Sequence, residues 1–194
     1  MGVAKAFIAF EGRMLIEHVI DTLRRVCDPI IIVANDRDAY ARFGLPVVPD
    51  SVPDFGPLAG LHAGLTAARS EVSVVVAVDM PFLDPGLLRA MIQAADGWDA
   101  VIPALSAEVE AETLRQKRAK DLDLHPLHAV YRRACLPSIQ AAIERGDRKV
   151  NSFFPDIRLR CFTADEMRVY DPELRSLVNI NTPNELHHAR RLRP

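Results

Sequence analysis

Apolar, β-branched runs recur along this chain, each closed by a polar or breaking residue, and helically spaced stretches separate them. The most marked run is Val72 to Val78, which suits a strand buried on both faces of a parallel sheet. It stops at Asp79, and Pro81 prevents the ladder from continuing. Ile30 to Ala34 reads as a second buried strand, closed by Asn35-Asp36, and Pro46 to Val48 as a short third, closed by Pro49-Asp50. Further strands are expected over Asp99 to Pro103, His125 to Tyr131, Arg158 to Thr163 and Leu177 to Ile180. Phe7 to Phe10 reads as a brief extended segment ended by the turn at Glu11-Gly12.

Helical spacing fills the intervals. Leu15, Val19, Leu23 and Val26 share one face of a helix that starts near Met14, with Ile16 and Ile20 beside them. Asp38 to Phe43 is a short helix stopped by Gly44. Pro57 suits the first turn of a helix running to about Ala68, and a further helix spans about Pro85 to Ala95. Arg132 to Arg145 is helical and ends at Gly146, while Asn181-Thr182-Pro183 opens a C-terminal helix. Strand and helix alternate through the first hundred residues, so the class is α/β with a mainly parallel sheet. Gly56, Gly60 and Gly64 lie four apart on one helix face, which allows either close helix–sheet packing or close approach of a ligand.

In an open α/β sheet, ligands bind beyond the carboxyl ends of the strands. Asn35, Asp50 and Asp79 each follow a strand and should gather along that edge. Asp79 is placed either to hold Mg²⁺ bridging to phosphate or to cap the next turn. The stretch from Ala104 to Leu124 departs from this pattern. Glu108, Glu110 and Glu112 precede Arg115, Lys117, Arg118 and Lys120 without a wide apolar face, so it reads as a charged excursion from a single domain over residues 1–194.

Composition narrows the function. At 194 residues, 49% hydrophobic and 26% charged, the chain can build one full core. A net charge of -2 gives no case for a general nucleic-acid surface. No apolar run reaches the length of a membrane span, and Cys27, Cys135 and Cys161 are scattered, which suits reduced thiols and a cytoplasmic setting. No serine or cysteine stands in a nucleophile motif.

Several motifs taken together resemble the molybdenum cofactor guanylyltransferases, which make molybdopterin-guanine dinucleotide. Met1-Gly2-Val3-Ala4-Lys5 is similar to the end of the family's Arg-Met-Gly-x-x-Lys loop. Gly56-Pro57-Leu58-Ala59-Gly60 matches its Gly-Pro-Leu-Ala-Gly block, with Asp50 ahead of it. Val78-Asp79-Met80-Pro81 matches its Asp-x-Pro strand end, and His125-Pro126 resembles its His-Pro strand. Gly146-Asp147-Arg148-Lys149-Val150 and Asn179-Ile180-Asn181-Thr182-Pro183 follow in the family's order.

The resemblance implies a three-layer, mainly parallel, Rossmann-like fold of the nucleotide-diphospho-sugar-transferase type. It implies transfer of GMP from GTP to the terminal phosphate of molybdopterin or Mo-molybdopterin, with release of pyrophosphate. Lys5 and Asp79 would be catalytic, with Mg²⁺ as cofactor held by Asp79. Lys5, Asn35, Asp50, Gly56, Pro57 and Asp79 would bind the nucleotide. Arg148, Lys149, Asn179 and Asn181 would lie on the molybdopterin side. Molybdoenzymes or their chaperones are further partners under this reading, with no nucleic acid and no membrane. The family's first strand and glycine-rich loop have no counterpart from Met1 onward. Without them, an apolar slot is expected within the sheet. Two alternatives remain: a related cytidylyltransferase, and a non-catalytic protein that holds molybdopterin or docks to a molybdoenzyme.

Overall fold

The structure is a computed structural model that describes residues 5–105 and 123–192. Most of the charged excursion expected over 104–124, including its acid–base pairs, lies outside the described residues.

The chain begins with a 3-10 turn, Lys5–Phe7, and a small hairpin of β1 (Ala9–Phe10) and β2 (Arg13–Met14). Its two turn residues, Glu11 and Gly12, have φ of 49° and 78°, the left-handed pair that matches the twist of the flanking strands. Helix α1 (Leu15–Arg24) buries Leu15, Ile16, Val19, Ile20 and Leu23, the face its spacing predicts. Strands β3 (Ile32–Val33) and β4 (Val47–Val48) pair in parallel around the short helix α2 (Arg37–Ala41), which Asp36 caps. Then come α3 (Pro57–Ala67), β5 (Val72–Val76), α4 (Pro85–Gln93) and β6 (Ala100–Ala104). The second half contributes β7 (His128–Arg132), α5 (Leu136–Glu144), β8 (Leu159–Thr163), α6 (Ala164–Arg168) and α7 (Pro183–Ala189).

A four-stranded sheet in the order β5-β7-β6-β8 is the spine of the molecule. β6 and β8 are parallel, and β7 runs against both of its neighbours. Its faces alternate with period two. Ala100, Ile102, Ala129 and Tyr131 pack with Leu58, Leu61 and Leu65 of α3, Ile139 of α5, and Phe153 and Phe154. Val101, Val130 and Phe162 pack on the other side with Leu87 and Met91 of α4 and Met167 of α6. The result is three layers, helix, sheet and helix.

The sheet is interrupted. β3 and β4 form a separate pair, and β5 ends the larger sheet with β7 on one side only. Yet Ile32 of β3 joins Val74 and Val76 of β5 in one apolar cluster beneath Ile16, Val19 and Ile20 of α1. Among the described residues, strands whose side chains share a cluster are thus not hydrogen-bonded to each other. The expectation that Val72–Val78 is buried on both faces is corrected accordingly. All five residues of β5 are half-exposed, whereas all five of β6 are buried. Ile32 and Val33 are half-exposed as well, for the same reason, and only Ile30 of their run is buried.

Other boundaries also shift. Leu177 to Ile180 is not a strand. Arg175–Leu177 forms a 3-10 turn entered through Leu174 at φ 53°, and Ile180 gives its N–H to the backbone oxygen of Asp79 at 2.9 Å. The segment is thereby tied to the end of β5 without joining the sheet. Arg133–Cys135 is a 3-10 turn ahead of α5, where a continuous helix from Arg132 was expected. In the opening segment, only Ala9 and Phe10 of Phe7–Phe10 are extended.

Candidate active site at the carboxyl edge of the sheet

Asp79 stands three residues past the end of β5, its side chain 13% exposed. The Lys5 ammonium meets its Oδ2 at 3.0 Å. The same ammonium donates to Oδ1 of Asn181, in a very short contact. Residues 74 and 176 positions apart thus converge on one point. The resemblance implies Lys5 and Asp79 as a catalytic pair and Asn181 as a residue of the molybdopterin side; the structure brings all three into contact.

Asn181 is held by the start of α7. Thr182 is the N-cap, its hydroxyl accepting from the Glu185 N–H, while Glu185 returns a carboxylate to the Thr182 N–H at 2.9 Å. The same Glu185 oxygen also accepts from the Asn181 N–H at 2.6 Å. These backbone donors, with the nearby Lys5 charge, hold the Glu185 carboxyl below its ordinary range, burial opposing them. Sequence reading missed Glu185, although Thr182 and Glu185 have the spacing of a capping box.

Asn35 and Asp50 form the second group. The Asn35 Nδ2 donates to Asp50 Oδ2 at 3.0 Å, and the Asp50 N–H donates back to Asn35 Oδ1 at 2.9 Å. The parallel pairing of β3 and β4 puts both residues beyond the same strand ends. Asp50 leans on α3: a Cβ at Gly60 would come within 3.1 Å of its Oδ1, and a Cβ at Gly64 within 3.2 Å of a Val33 methyl. Gly64 therefore serves helix–sheet packing, and Gly60 makes room for the Asp50 carboxylate. Gly56 caps α3 with φ 101°, which favours glycine, and Pro57 follows as the first helical residue. Pro57 brings no N–H and the Ala59 N–H bonds the Gly56 oxygen at 3.1 Å, so what this end of the 11-residue helix offers an anion is chiefly the positive end of its dipole.

Arg148 and Lys149 are not brought to Asn179 and Asn181. The Arg148 guanidinium lies 5.5 Å from the Phe55 ring centroid and reaches the Asp54 backbone oxygen at 3.5 Å. Its backbone oxygen would lie 3.9 Å from a Cβ at Gly56. The basic pair thus borders the loop leading into α3. Asn179 sits next to Ile180, and its Oδ1 is buried with no hydrogen-bond partner among the described residues.

Two histidines lie near the same edge. The β5–β7 register pairs Val76 with His128, and the Ala77 N–H donates to the Leu127 oxygen at 2.7 Å. His128 is fully buried with neither ring nitrogen bonded, and burial, aided by neighbouring His125, pushes its pKa down to about 4. Burial also lowers that of His125, with Asp123 opposing it. Both are neutral at pH 7. Burial pushes the Cys135 thiol up to about 12 and Cys161 up to about 11, so neither supplies a thiolate nucleophile at neutral pH.

A carboxylate, an amide and a lysine thus meet at the carboxyl edge of an α/β sheet, the edge where ligands bind in such folds. The chain belongs to the family described as the MobA-like NTP transferase domain, whose profile matches residues 1–160. It is 35% identical over 198 residues to the "Probable molybdenum cofactor guanylyltransferase" of Methanosarcina mazei, covering 96% of this chain and 82% of that one. It is 33% identical over 189 residues to the "Molybdenum cofactor guanylyltransferase" of Desulfosudis oleivorans, with 97% and 86% covered. In structure it is similar to molybdopterin-guanine dinucleotide biosynthesis protein A from Archaeoglobus fulgidus, at a TM-score of 0.78 and 27% identity over 98% of this chain and 91% of that one.

Proposed function

We infer that this chain is a molybdenum cofactor guanylyltransferase, which transfers GMP from GTP to the terminal phosphate of molybdopterin and releases pyrophosphate. The observation that carries this reading is the meeting of Lys5, Asp79 and Asn181 beyond the end of β5, with the Asn35–Asp50 pair beyond the ends of β3 and β4.

The reaction joins two polyanions, so the site must position them and balance charge. The positive dipole end of α3 and the Lys5 ammonium serve the GTP phosphates, and Lys5 acts as a mobile point charge. The Asp50 carboxylate, oriented by Asn35, accepts hydrogen bonds from the nucleoside. The buried, unpartnered Oδ1 of Asn179 takes a donor from the pterin side. Arg148 and Lys149, at the rim beside Phe55, attract the anionic acceptor. The acceptor phosphate attacks the α-phosphorus, the α–β bridging bond breaks, and pyrophosphate carries the electron pair away. No covalent enzyme intermediate is needed.

The donor set suits Mg²⁺: a carboxylate and an amide oxygen, both hard ligands, already flank a positive charge. Asp79 would hold the ion, which would supply charge stabilisation at the transferring phosphate. Among the described residues no helix is long and apolar enough to cross a membrane. The three cysteines are free, which agrees with a cytoplasmic setting.

Mg²⁺-dependent binding of GTP, with CTP and ATP as controls, tests the reading, followed by pyrophosphate release on addition of molybdopterin. Selective GTP binding and turnover are expected. Preference for CTP would make the chain a cytidylyltransferase. Molybdopterin binding without turnover would make it a carrier.

A further inference from the structure

We propose that the Lys5 ammonium fills a divalent-cation position, that Asn181 is a ligand of that position beside Asp79, and that lysine and metal compete for it. The inference rests on the reading above that Asp79 binds the metal.

The argument starts from what surrounds the lysine. An ammonium is a compact cation with donors only, so it settles where acceptor oxygens converge. Here those oxygens are Asp79 Oδ2 at 3.0 Å and Asn181 Oδ1. A carboxylate and an amide oxygen are what Mg²⁺ takes from a protein when water and phosphate complete its shell. The backbones that carry the two oxygens are also anchored independently of the lysine. The Ile180 N–H bonds the Asp79 backbone oxygen, and Glu185 fixes the Asn181 N–H. Asp79 is recessed at 13% exposed, whereas Lys5 is 42% exposed and reaches in from solvent. The two oxygens thus stand on tied backbones, whereas the cation comes in on a long, solvent-exposed side chain.

Charge points the same way. Lys5 neutralises Asp79, and the Glu185 carboxylate stands close enough to feel Lys5. A divalent ion in place of the ammonium would balance both carboxylates and turn Lys5 out toward the phosphates. Two cations cannot share one carboxylate oxygen and one amide oxygen at contact distance without strong repulsion. Metal entry and release of the phosphate-binding lysine are therefore one event.

The test is Mn²⁺ binding to the whole 194-residue chain without nucleotide, read from the electron paramagnetic resonance signal of free Mn²⁺ and competed with Mg²⁺. Lys5→Met is expected to tighten Mn²⁺ binding by about tenfold, because the competing charge is gone. Asn181→Leu is expected to weaken it by about tenfold, and Asn181→Asp, which keeps an oxygen, to restore it. Unchanged or weaker Mn²⁺ binding by Lys5→Met overturns the competition. Unchanged binding by Asn181→Leu, with a melting temperature like the parent's, overturns the ligand assignment. Asp79→Asn separates the two levels. If it keeps full Mn²⁺ affinity, the underlying metal reading fails; if it loses binding while Lys5→Met gains nothing, only the present inference does.

Discussion

The two sides of the β5 strand are built on different terms. Toward β7, β6 and β8, strands are paired, side chains are buried, and aromatic residues such as Tyr131, Phe153 and Phe154 fill the space under α3 and α5. Toward β3 and β4, strand pairing stops, and Ile32, Val33 and all of β5 remain half-exposed. The closed side supplies the apolar burial that drives folding. The strand ends there carry two bonded polar groups, Lys5 with Asp79 and Asn181, and Asn35 with Asp50. A site for two polyanions needs such a rim, because buried charges without partners are costly. Stability and chemistry are thus concentrated on opposite sides of one strand.

The sharpest way to break that division is Asp79→Ala. Turnover should fall about a thousandfold or more, while the melting temperature moves little, because the carboxylate belongs to the open side. Steady-state kinetics beside a thermal melt decide it; a collapse of both together would show that the site also holds the fold. The complementary change is Phe153→Ala on the closed side, expected to cost about 3–5 kcal/mol through lost burial and the cavity left behind. Val33→Ala on the open side should cost only about 1 kcal/mol, since its side chain is already half-exposed. Urea titrations giving equal losses for the two would erase the contrast.

The pH dependence sharpens the comparison from the closed side. His128 has a folded pKa of about 4, below the ordinary value of 6.5. Between those values the unfolded chain binds more protons than the folded one, so stability rises with pH there. The contribution is complete above about pH 6.5 and is lost as pH falls toward 4, amounting to about 3 kcal/mol. Replacing His128 with Leu should flatten that part of the curve. An unchanged slope between pH 6.5 and 4 in His128→Leu would remove His128 as its source.

The smallest effect on stability is expected at Gly60. In Gly60→Ala, the gain in helix propensity of about 1 kcal/mol opposes the crowding of a Cβ 3.1 Å from Asp50 Oδ1. The melt should change by little, but GTP affinity should drop as the carboxylate is pushed aside. Full nucleotide affinity in this variant would show that Asp50 does not need its present seat.

Much of this was legible in the chain. The period of α1, the cap at Thr182, and Pro57 and Pro85 at helix starts are local signals, and each falls where the residues place it. The carboxyl-edge position of Asn35, Asp50 and Asp79 was also readable, because each residue simply follows a strand. Where reading failed, the cause was non-local. Val72–Val76 looks fully buried because its composition is apolar, yet exposure depends on whether a neighbour pairs with its second edge. Leu177–Ile180 has strand-like residues but binds β5 through one hydrogen bond at Asp79. Asn179 and Asn181 stand two apart in sequence and were grouped together. Their oxygens meet different fates, one buried without a partner and one on Lys5.

The amino-acid sequence by itself determined the class of the fold, the order of its elements and the family, because periodicity, caps and short motifs are properties of neighbouring residues. Tertiary structure alone decided that Lys5 meets both Asp79 and Asn181, that Arg148 leans on Phe55, and that among the described residues β5 is paired on one edge only. Each of those facts joins residues far apart in the chain. Their distances follow from how the layers pack, which no local pattern encodes.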